Sequence, residues 1–367
     1  MIRVLQYIGS LKIGGSQTFI MEIYRKIDRT VIQFDFIVFS GEEGDFCDEI
    51  KALGGRIFVS PRYFGKNHVG FTKWWDIFLK NHLEYKVVHF HVRSIAAICI
   101  PIAKRRGIVT IAHSHSTSNG DGIQAIVKDI MQFPIRFQAD YLFACSQEAG
   151  RWLYGKNVVK RKNYYVVHNV VDTKRFSFNP ERREKLRNKL KIADSSVIGH
   201  VGRFSAPKNH KYLLKVFCEI RRINKNVKLI LVGDGELKKE IRDLCKKLNM
   251  IDEVLLVGNV PNTEEYYWAM DVFVFPSLWE GMPVSVVEAQ ASGLICIISD
   301  KVTRDVKISK RIKYLPLEIG EKEWAKEVCE LLQQRKREAC HVKNSALKCY
   351  DSYNASKWFE NFYKNII

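Results

Sequence analysis

VKLILVGDGELKKEIRDLCKKLNMIDEVLLVG, residues 227–258, carries the repeating unit of this chain. Its ends, 227–233 and 254–258, are short and almost uninterrupted apolar runs. Runs of that kind read as strands covered on both faces, the mark of a parallel sheet wrapped by helices. Between them Leu237, Ile241, Leu244 and Leu248 recur at steps of four, three and four, which makes one side of a helix apolar. Strand, helix, strand is a βαβ unit, and its crossover helix has to cover the sheet.

The same alternation extends in both directions. Toward the amino end, strand-like runs stand at 2–8, 34–39, 56–59, 87–91, 108–112, 141–145 and 197–202. Toward the carboxyl end they stand at 272–275 and 294–299. KYLLKVFCEI (211–220) repeats the helical spacing with Leu213, Phe217 and Ile220. Between the two series lies a charged, strand-poor stretch, 172–194. A chain of 367 residues is too long for one ordinary core. The expectation is therefore an α/β chain of two doubly wound Rossmann-like domains, 1–171 and 172–350. Their parallel sheets would face a central cleft, where open α/β sheets bind ligands. The last segment, 351–367, places Trp358, Phe359, Phe362 and Ile366 at helical spacing and needs a surface to bury them. It is expected to cross back toward the first domain.

Composition narrows the function. With 46% hydrophobic and 27% charged residues the chain should be globular. The longest apolar run, 95–103, is far short of the roughly 20 residues that span a bilayer. The sequence enters a strand pattern at once, without a leader pattern, and nine scattered cysteines show no CxxC. Both features suit a cytoplasmic chain without disulfides. The net charge of +19 calls for an anionic partner or a solvated basic face. No nucleic-acid motif accompanies it. An anionic membrane surface is the specific alternative, with dense basic stretches at 156–162 and 181–191.

Four stretches carry chemistry. EGMPVSVVE (280–288) spaces two carboxylates around a helix start, with Pro283 expected in the first turn and Gly293 at the end. Eight helical residues span on the order of 12 Å. That is too wide for the carboxylate pair of a retaining glycosidase, which needs roughly 5 Å. It suits a longer ligand with hydroxyl-bearing rings at both ends of a phosphate bridge, the helix start holding the anion. Both glutamates could equally be solvent-facing residues of an amphipathic helix. In HVGRFSAPKNH (200–210) Arg203 and Lys208 flank a turn at a strand's carboxyl end, a fork and a point charge that match a diphosphate. In GSLKIGGSQTF (9–19) Gly14 and Gly15 allow close backbone approach before a helix. In IAHSHSTSNG (111–120) His113 and His115 stand two apart at a strand end, with no third metal ligand at a convincing spacing. The chain contains no Asp-x-Asp pair to hold a divalent ion on a diphosphate. Arg203, Lys208 and the helix start could supply the positive charge instead.

Together these stretches resemble the retaining glycosyltransferases of family 4, which have the GT-B fold. EGMPVSVVE looks like that family's E-x7-E motif, GRFSAPKNH like its diphosphate turn and IGGSQTF like its glycine loop. HNVVDTKRF (168–176) is similar to the stretch entering the second domain, with Val170 in place of the usual glycine. LVGDGEL and MDVFVFPSLWEGMP are family-like as well. ACSQEAGRWLYG (144–155) resembles the subgroup that builds bacterial exopolysaccharide and capsule. After Asp300 the family's glycine-rich segment is missing.

The resemblance implies a role for each matched residue. Arg203 and Lys208 would bind the donor diphosphate and stabilise it as it leaves. Glu288 would bind the ribose. Glu280, with the backbone of Gly281, Met282, Pro283 and Val284, would hold the donor sugar. The Gly14–Gly15 loop would approach the phosphates or the acceptor. One of His113 and His115 would contact the transferred sugar, His113 being preferred. The nucleobase would lie near Gly258, Asn259 and Val260. Residues 1–171 would then bind the acceptor and 172–350 the nucleotide sugar. The implied reaction moves a hexose or N-acetylhexosamine, with retention, from a UDP-sugar to a hydroxyl of a lipid-linked or oligosaccharide acceptor. It would need neither metal nor other cofactor. The enzyme would be cytoplasmic or peripheral on the inner face of the membrane. A GT-B-type nucleotide-sugar epimerase and a non-catalytic nucleotide-binding scaffold are the competing readings. The oligomeric state is not legible in the sequence.

Overall fold

A computed structural model describes residues 1–39, 41, 44–116, 122–280, 282–333 and 345–367, the side chains of 345 and 346 excepted. The chain divides into two compact units, Met1–Val170 with Asp351–Ile367, and Val171–Tyr350.

The first unit is built on seven parallel strands. These are β1 Ile2–Tyr7, β2 Ile32–Val38, β3 Ile57–Val59, β4 Tyr85–Phe90, β5 Val109–Ser114, β6 Tyr141–Ala144 and β7 Tyr164–Val166. Their order in the sheet is β3-β2-β1-β4-β5-β6-β7. The second unit has six, β8 Ser196–Val201, β9 Val227–Val232, β10 Val254–Gly258, β11 Val272–Phe275, β12 Ile295–Ser299 and β13 Ile312–Leu315. Their order is β10-β9-β8-β11-β12-β13. Every residue of β2, β8 and β11 is buried, as expected of strands sandwiched between helix layers. In each sheet the strand order reverses once, between β1 and β4 and between β8 and β11. Chain order then sends the following helices to opposite faces, leaving the carboxyl edge between those two strands open.

The strands β7 and β13 were not anticipated in the apolar pattern. Both are edge strands, of three and four residues, and only the two end residues of β13 are buried. An edge strand pairs on one side only, so its sequence needs no continuous apolar run. Pro283 also differs slightly from expectation: it precedes the helix Val284–Ala291 rather than lying in its first turn. Gly293 follows the helix with φ of 72°, the left-handed conformation that ends a helix cheaply only at glycine.

The closing helix, Ser352–Asn365, belongs to the first unit. Asp351 caps it by accepting from Asn354 N at 3.0 Å. Its Phe359, Phe362 and Tyr363 join Phe19, Phe34 and Phe143 in one buried cluster. Glu360 accepts from the backbone N–H of Asp28 at 2.7 Å, tying this helix to the end of the helix Gly15–Lys26.

Candidate active site

The open carboxyl edge of the second sheet collects most of the residues singled out by sequence. Strand β8 runs into a tight turn, Ala206–Lys208, closed by Asn209 in the left-handed conformation before the helix His210–Ile223 begins. The loop that leaves β11 comes back over this turn, where Leu278 N donates to Pro207 O at 2.8 Å. The two loops are further joined by an ion pair. Lys208 Nζ lies 2.7 Å from Glu280 Oε1, with the two side chains only 16% and 15% exposed. The ammonium also sits 4.7 Å from the ring centre of Phe275. The Ser277 hydroxyl donates to the same Glu280 Oε1 at 3.3 Å. Arg203 is different. Its side chain is 73% exposed and touches Glu236 at 3.2 Å, so its guanidinium can leave that partner at little cost.

Beneath Lys208 lie two buried histidines. His200 Nδ1 bonds Val274 O at 2.9 Å, and His210 stacks on Phe204 with ring centres 4.4 Å apart. Burial, and then the Lys208 charge, pushes His210 down to about 4. His200 is lowered in the same way, by burial first and by its neighbours next. Both are therefore neutral near pH 7, and the floor of the site adds no charge to that of Lys208.

The remaining strand ends approach one another closely. Gly233 N donates to Gly258 O at 2.9 Å, and Phe204 N to Asp234 O at 3.0 Å. Gly233 has φ of 132°, and a Cβ there would lie 2.1 Å from Gly202 O. A Cβ on Gly235 would lie 2.5 Å from Phe204 O. The backbones of the β8 and β9 loops thus pack without room for a side chain. Gly258 itself has φ of 84°, Asn259 is exposed and Val260 half-buried. Glu288, on the helix Val284–Ala291, accepts from the hydroxyl of the fully buried Tyr267 at 2.7 Å. Burial, and then the Glu288 charge, pushes the Tyr267 phenol well above its ordinary range, so it remains a donor. Gly281 lies outside the described residues. Met282 and Pro283 are buried, and Val284 is half-buried at the helix start.

The first unit presents its own open edge. Gly14 caps the helix Gly15–Lys26, and a Cβ on Gly14 would lie 2.7 Å from Gln17 Oε1 and 3.9 Å from Lys12 O. Gly15 faces open space. Strands β4 and β5, each with the residue that follows its carboxyl end, carry a ladder of four imidazoles. His89 and His91 from one strand stand beside His113 and His115 from the other. His89 Nε2 is 3.2 Å from His113 Nδ1, and His91 Nδ1 is 2.8 Å from His115 Nε2. Within each strand the rings stack, at 4.3 Å and 4.0 Å between centres. Burial depresses all four, and His115, with a further contribution from Arg93, is lowered to about 3. His89, His91 and His113 bring nitrogens within 4.8 Å of one another, so the third ligand that spacing did not reveal is present in space. One nitrogen of each ring already pairs across the strands, however, and the stacked planes are 13° to 28° apart. Stacked rings of that kind direct their lone pairs side by side rather than toward one point.

The ladder fixes protons. Gln6 Oε1 accepts from His91 Nε2 at 2.8 Å, with the amide oriented to satisfy this network. His91 Nδ1 is then the acceptor, and His115 Nε2 must carry the hydrogen. That leaves His115 Nδ1 as a bare lone pair, buried and without a partner among the described residues. His113 is 1% exposed and stacked under His115, with Phe19 edge-on at 5.3 Å. His115 is therefore the outer ring of the two.

Residues 13–175 match the description "Glycosyltransferase Family 4" and residues 182–345 match "Glycosyl transferases group 1". The EpsF protein of Bacillus subtilis is 35% identical over 311 residues, 83% of this chain and 80% of EpsF. The chain belongs to glycosyltransferase family 4. Other relatives of this family 4 chain include the capsular polysaccharide biosynthesis glycosyltransferase CapH of Staphylococcus aureus, 22% identical over 92% of each chain. An Escherichia coli UDP-Gal:alpha-D-GlcNAc-diphosphoundecaprenol alpha-1,3-galactosyltransferase is 27% identical over 59% of this chain and 58% of its own. Among solved structures, Anabaena HepE in complex with UDP and glucose superposes with a TM-score of 0.81 at 17% identity, covering 99% of this chain and all of HepE. At that identity the likeness speaks for the GT-B fold alone.

Several residues of the candidate site had no signal strong enough to find them by spacing. Tyr267 is one aromatic among three in EEYYWA (264–269). Gly233 and Gly235 stand in GDG, which marks a turn without saying what the turn approaches. His89 and His91 repeat the two-residue spacing of His113 and His115 on another strand, and matching the two pairs would have found the ladder.

Proposed function

We propose that this glycosyltransferase moves a hexose or N-acetylhexosamine from a UDP-sugar to a hydroxyl of a lipid-linked or saccharide acceptor in capsule or exopolysaccharide synthesis, with retention. The observation that carries the donor half is the Lys208–Glu280 ion pair at the switch point of the second sheet. An ammonium held beside a carboxylate at such an edge can serve diphosphate and sugar together. Arg203 and Lys208 take the diphosphate, Glu280 takes sugar hydroxyls, Glu288 takes the ribose, and Gly258 to Val260 border the base.

In this reading the acceptor oxygen bonds to the anomeric carbon on the face that the diphosphate leaves. The carbon–oxygen bond to phosphate breaks, and a phosphate oxygen takes the acceptor's proton. Arg203 and Lys208 stabilise the developing negative charge, so the step needs no divalent ion. On the first unit we assign the sugar contact to His115, whose bare Nδ1 accepts a hydroxyl hydrogen, with His113 as its supporting ring. The acceptor class is supported by the diphosphoundecaprenol named for the E. coli relative and by the capsular role named for CapH. UDP as donor nucleotide is supported by the UDP-Gal named for that relative.

The test is donor turnover from a panel of nucleotide sugars, with and without an undecaprenyl-diphosphate-linked sugar. Transfer that requires the acceptor and keeps the anomeric configuration is the expected result. Donor conversion without acceptor would establish the epimerase reading. Nucleotide binding without turnover of any donor would establish the scaffold.

A further inference from the structure

The helix Ile123–Gln132 is amphipathic in the wrong sense for water. Its buried residues are Ala125 and Gln132, while Ile123, Ile126, Val127 and Ile130 are exposed, Ile123 at 80% and Ile130 at 69%. At about 100° per residue these four side chains form one stripe, on the side opposite Ala125 and Gln132. Phe133 and, on the short helix Ile135–Gln138, Phe137 at 67% exposure continue it. Ile126, Asp129, Ile130 and Phe133 border a shallow surface groove of about 370 Å³. Exposed apolar residues are ordinary when scattered, but a contiguous row on one helix marks an interaction surface.

Charge indicates the partner. The Arg136 guanidinium lies 4.2 Å from the ring centre of Phe133, and that of Arg161 lies 5.8 Å from Phe137. Arg161 also donates to the carbonyl of Arg136. Arg161 belongs to KNVVKRK, residues 156–162, one of the densest basic stretches of the chain. There Lys156, Lys160 and Lys162 are exposed. The fold thus sets a basic segment beside the end of an apolar row distant from it in sequence. The acid on the helix, Asp129, is engaged by Gln132 Nε2 at 2.9 Å. Among the described residues no helix is long and apolar enough to cross a membrane. An apolar stripe with a basic margin lies in the plane of an interface instead.

We propose that the face formed by Ile123–Gln132, Phe133, Phe137 and the basic segment 156–162 is a docking surface for an anionic lipid bilayer. The isoleucines and phenylalanines enter the boundary between headgroups and acyl chains, and the lysines and arginines meet lipid phosphates. The proposal deepens the function proposed above, since a lipid-linked acceptor presents its diphosphate at that same boundary. Its physics stands without that reading.

The experiment is flotation of the full chain with phosphatidylglycerol-containing vesicles and with pure phosphatidylcholine vesicles, at low and high salt. The parent should bind the anionic vesicles and lose them as salt rises. Ile126→Asp with Ile130→Asp should weaken binding at least tenfold, and Lys160→Glu with Lys162→Glu likewise. Circular dichroism and calorimetric titration with UDP establish that each variant is folded. Equal binding of parent and folded variants, or equal binding to neutral and anionic vesicles, would overturn the proposal. So would a parent that ignores vesicles and self-associates through the stripe, with self-association lost in the Ile→Asp variant. Vesicle binding that survives while no donor is turned over would reject the enzymatic reading and leave the docking surface standing.

Discussion

Replacing Glu280 by Gln should move two properties in opposite directions. The carboxylate does double duty: it neutralises Lys208 at 2.7 Å, and it is assigned to hold the donor sugar. Gln keeps the size and removes the charge. Lys208 then loses its counter-ion while keeping its place above Phe275. Exposed pairs couple by roughly 0.2–1 kcal/mol, whereas breaking a fully buried pair costs about 3–5 kcal/mol. With both side chains about one-sixth exposed, this pair falls between, at about 1–2 kcal/mol. The unliganded variant should lose about that much stability. A diphosphate that replaces the missing counter-ion recovers it, so UDP should bind about fivefold to thirtyfold more tightly than to the parent. Transfer should fall nevertheless, because the sugar has lost an acceptor worth about 1.5–3 kcal/mol. Calorimetric titration with UDP, urea denaturation without ligand and initial transfer rates read the three quantities separately. Weaker UDP binding in a folded Glu280→Gln variant would refute the reasoning, since it would mean that Glu280 helps the diphosphate rather than competing with it for Lys208. Parent-like values in all three would remove Glu280 from the donor site and leave its pair with Lys208 a structural contact between two loops.

Glu288→Gln should weaken free UDP about tenfold, and Tyr267→Phe, which removes the hydroxyl bonded to Glu288, should weaken it in the same direction; calorimetry showing neither change would remove Glu288 from the ribose. Arg203→Ala should slow the chemical step by roughly 2–4 kcal/mol, and a single-turnover rate equal to the parent's would contradict its role on the leaving diphosphate. Transfer should persist in excess chelator; activity lost on chelation and restored by magnesium or manganese would show that a metal neutralises the diphosphate. His200 and His210 lie below the ordinary histidine value of 6.5 in the folded chain, His210 at about 4, so the unfolded chain binds more protons in acid. The His210 contribution is complete above about pH 6.5 and is lost as pH falls toward about 4, by up to about 1.4 kcal/mol per pH unit, and that of His200 is lost in the same direction. Urea midpoints measured down that range should decline, and less steeply in His210→Asn; a flat parent profile would contradict it.

Much of this architecture is written locally. Apolar runs and helical spacing are properties of five to fourteen neighbouring residues, which is why β8 to β12 and the helix His210–Ile223 could be read directly, while the edge strands β7 and β13, paired on one side only, could not. Residue type at a strand's end is equally local, so Arg203, Lys208, Glu280 and Glu288 stand out before any fold is known. What each of them touches is not local. Lys208 meets Glu280 because parallel pairing places β8 beside β11 with β9 and β10 on the far side, a consequence of sheet order rather than of either loop's sequence. The bare nitrogen of His115, just past β5, depends on Gln6 in β1 and on His91, just past β4, joined by hydrogen bonds across more than a hundred residues. The apolar stripe of Ile123–Gln132 has the spacing of a core-facing helix, and sequence cannot tell which side of a helix is covered. Packing of Ala125 and Gln132 inward turned that stripe outward, because burial is settled by the neighbours a helix finds and not by its own periodicity.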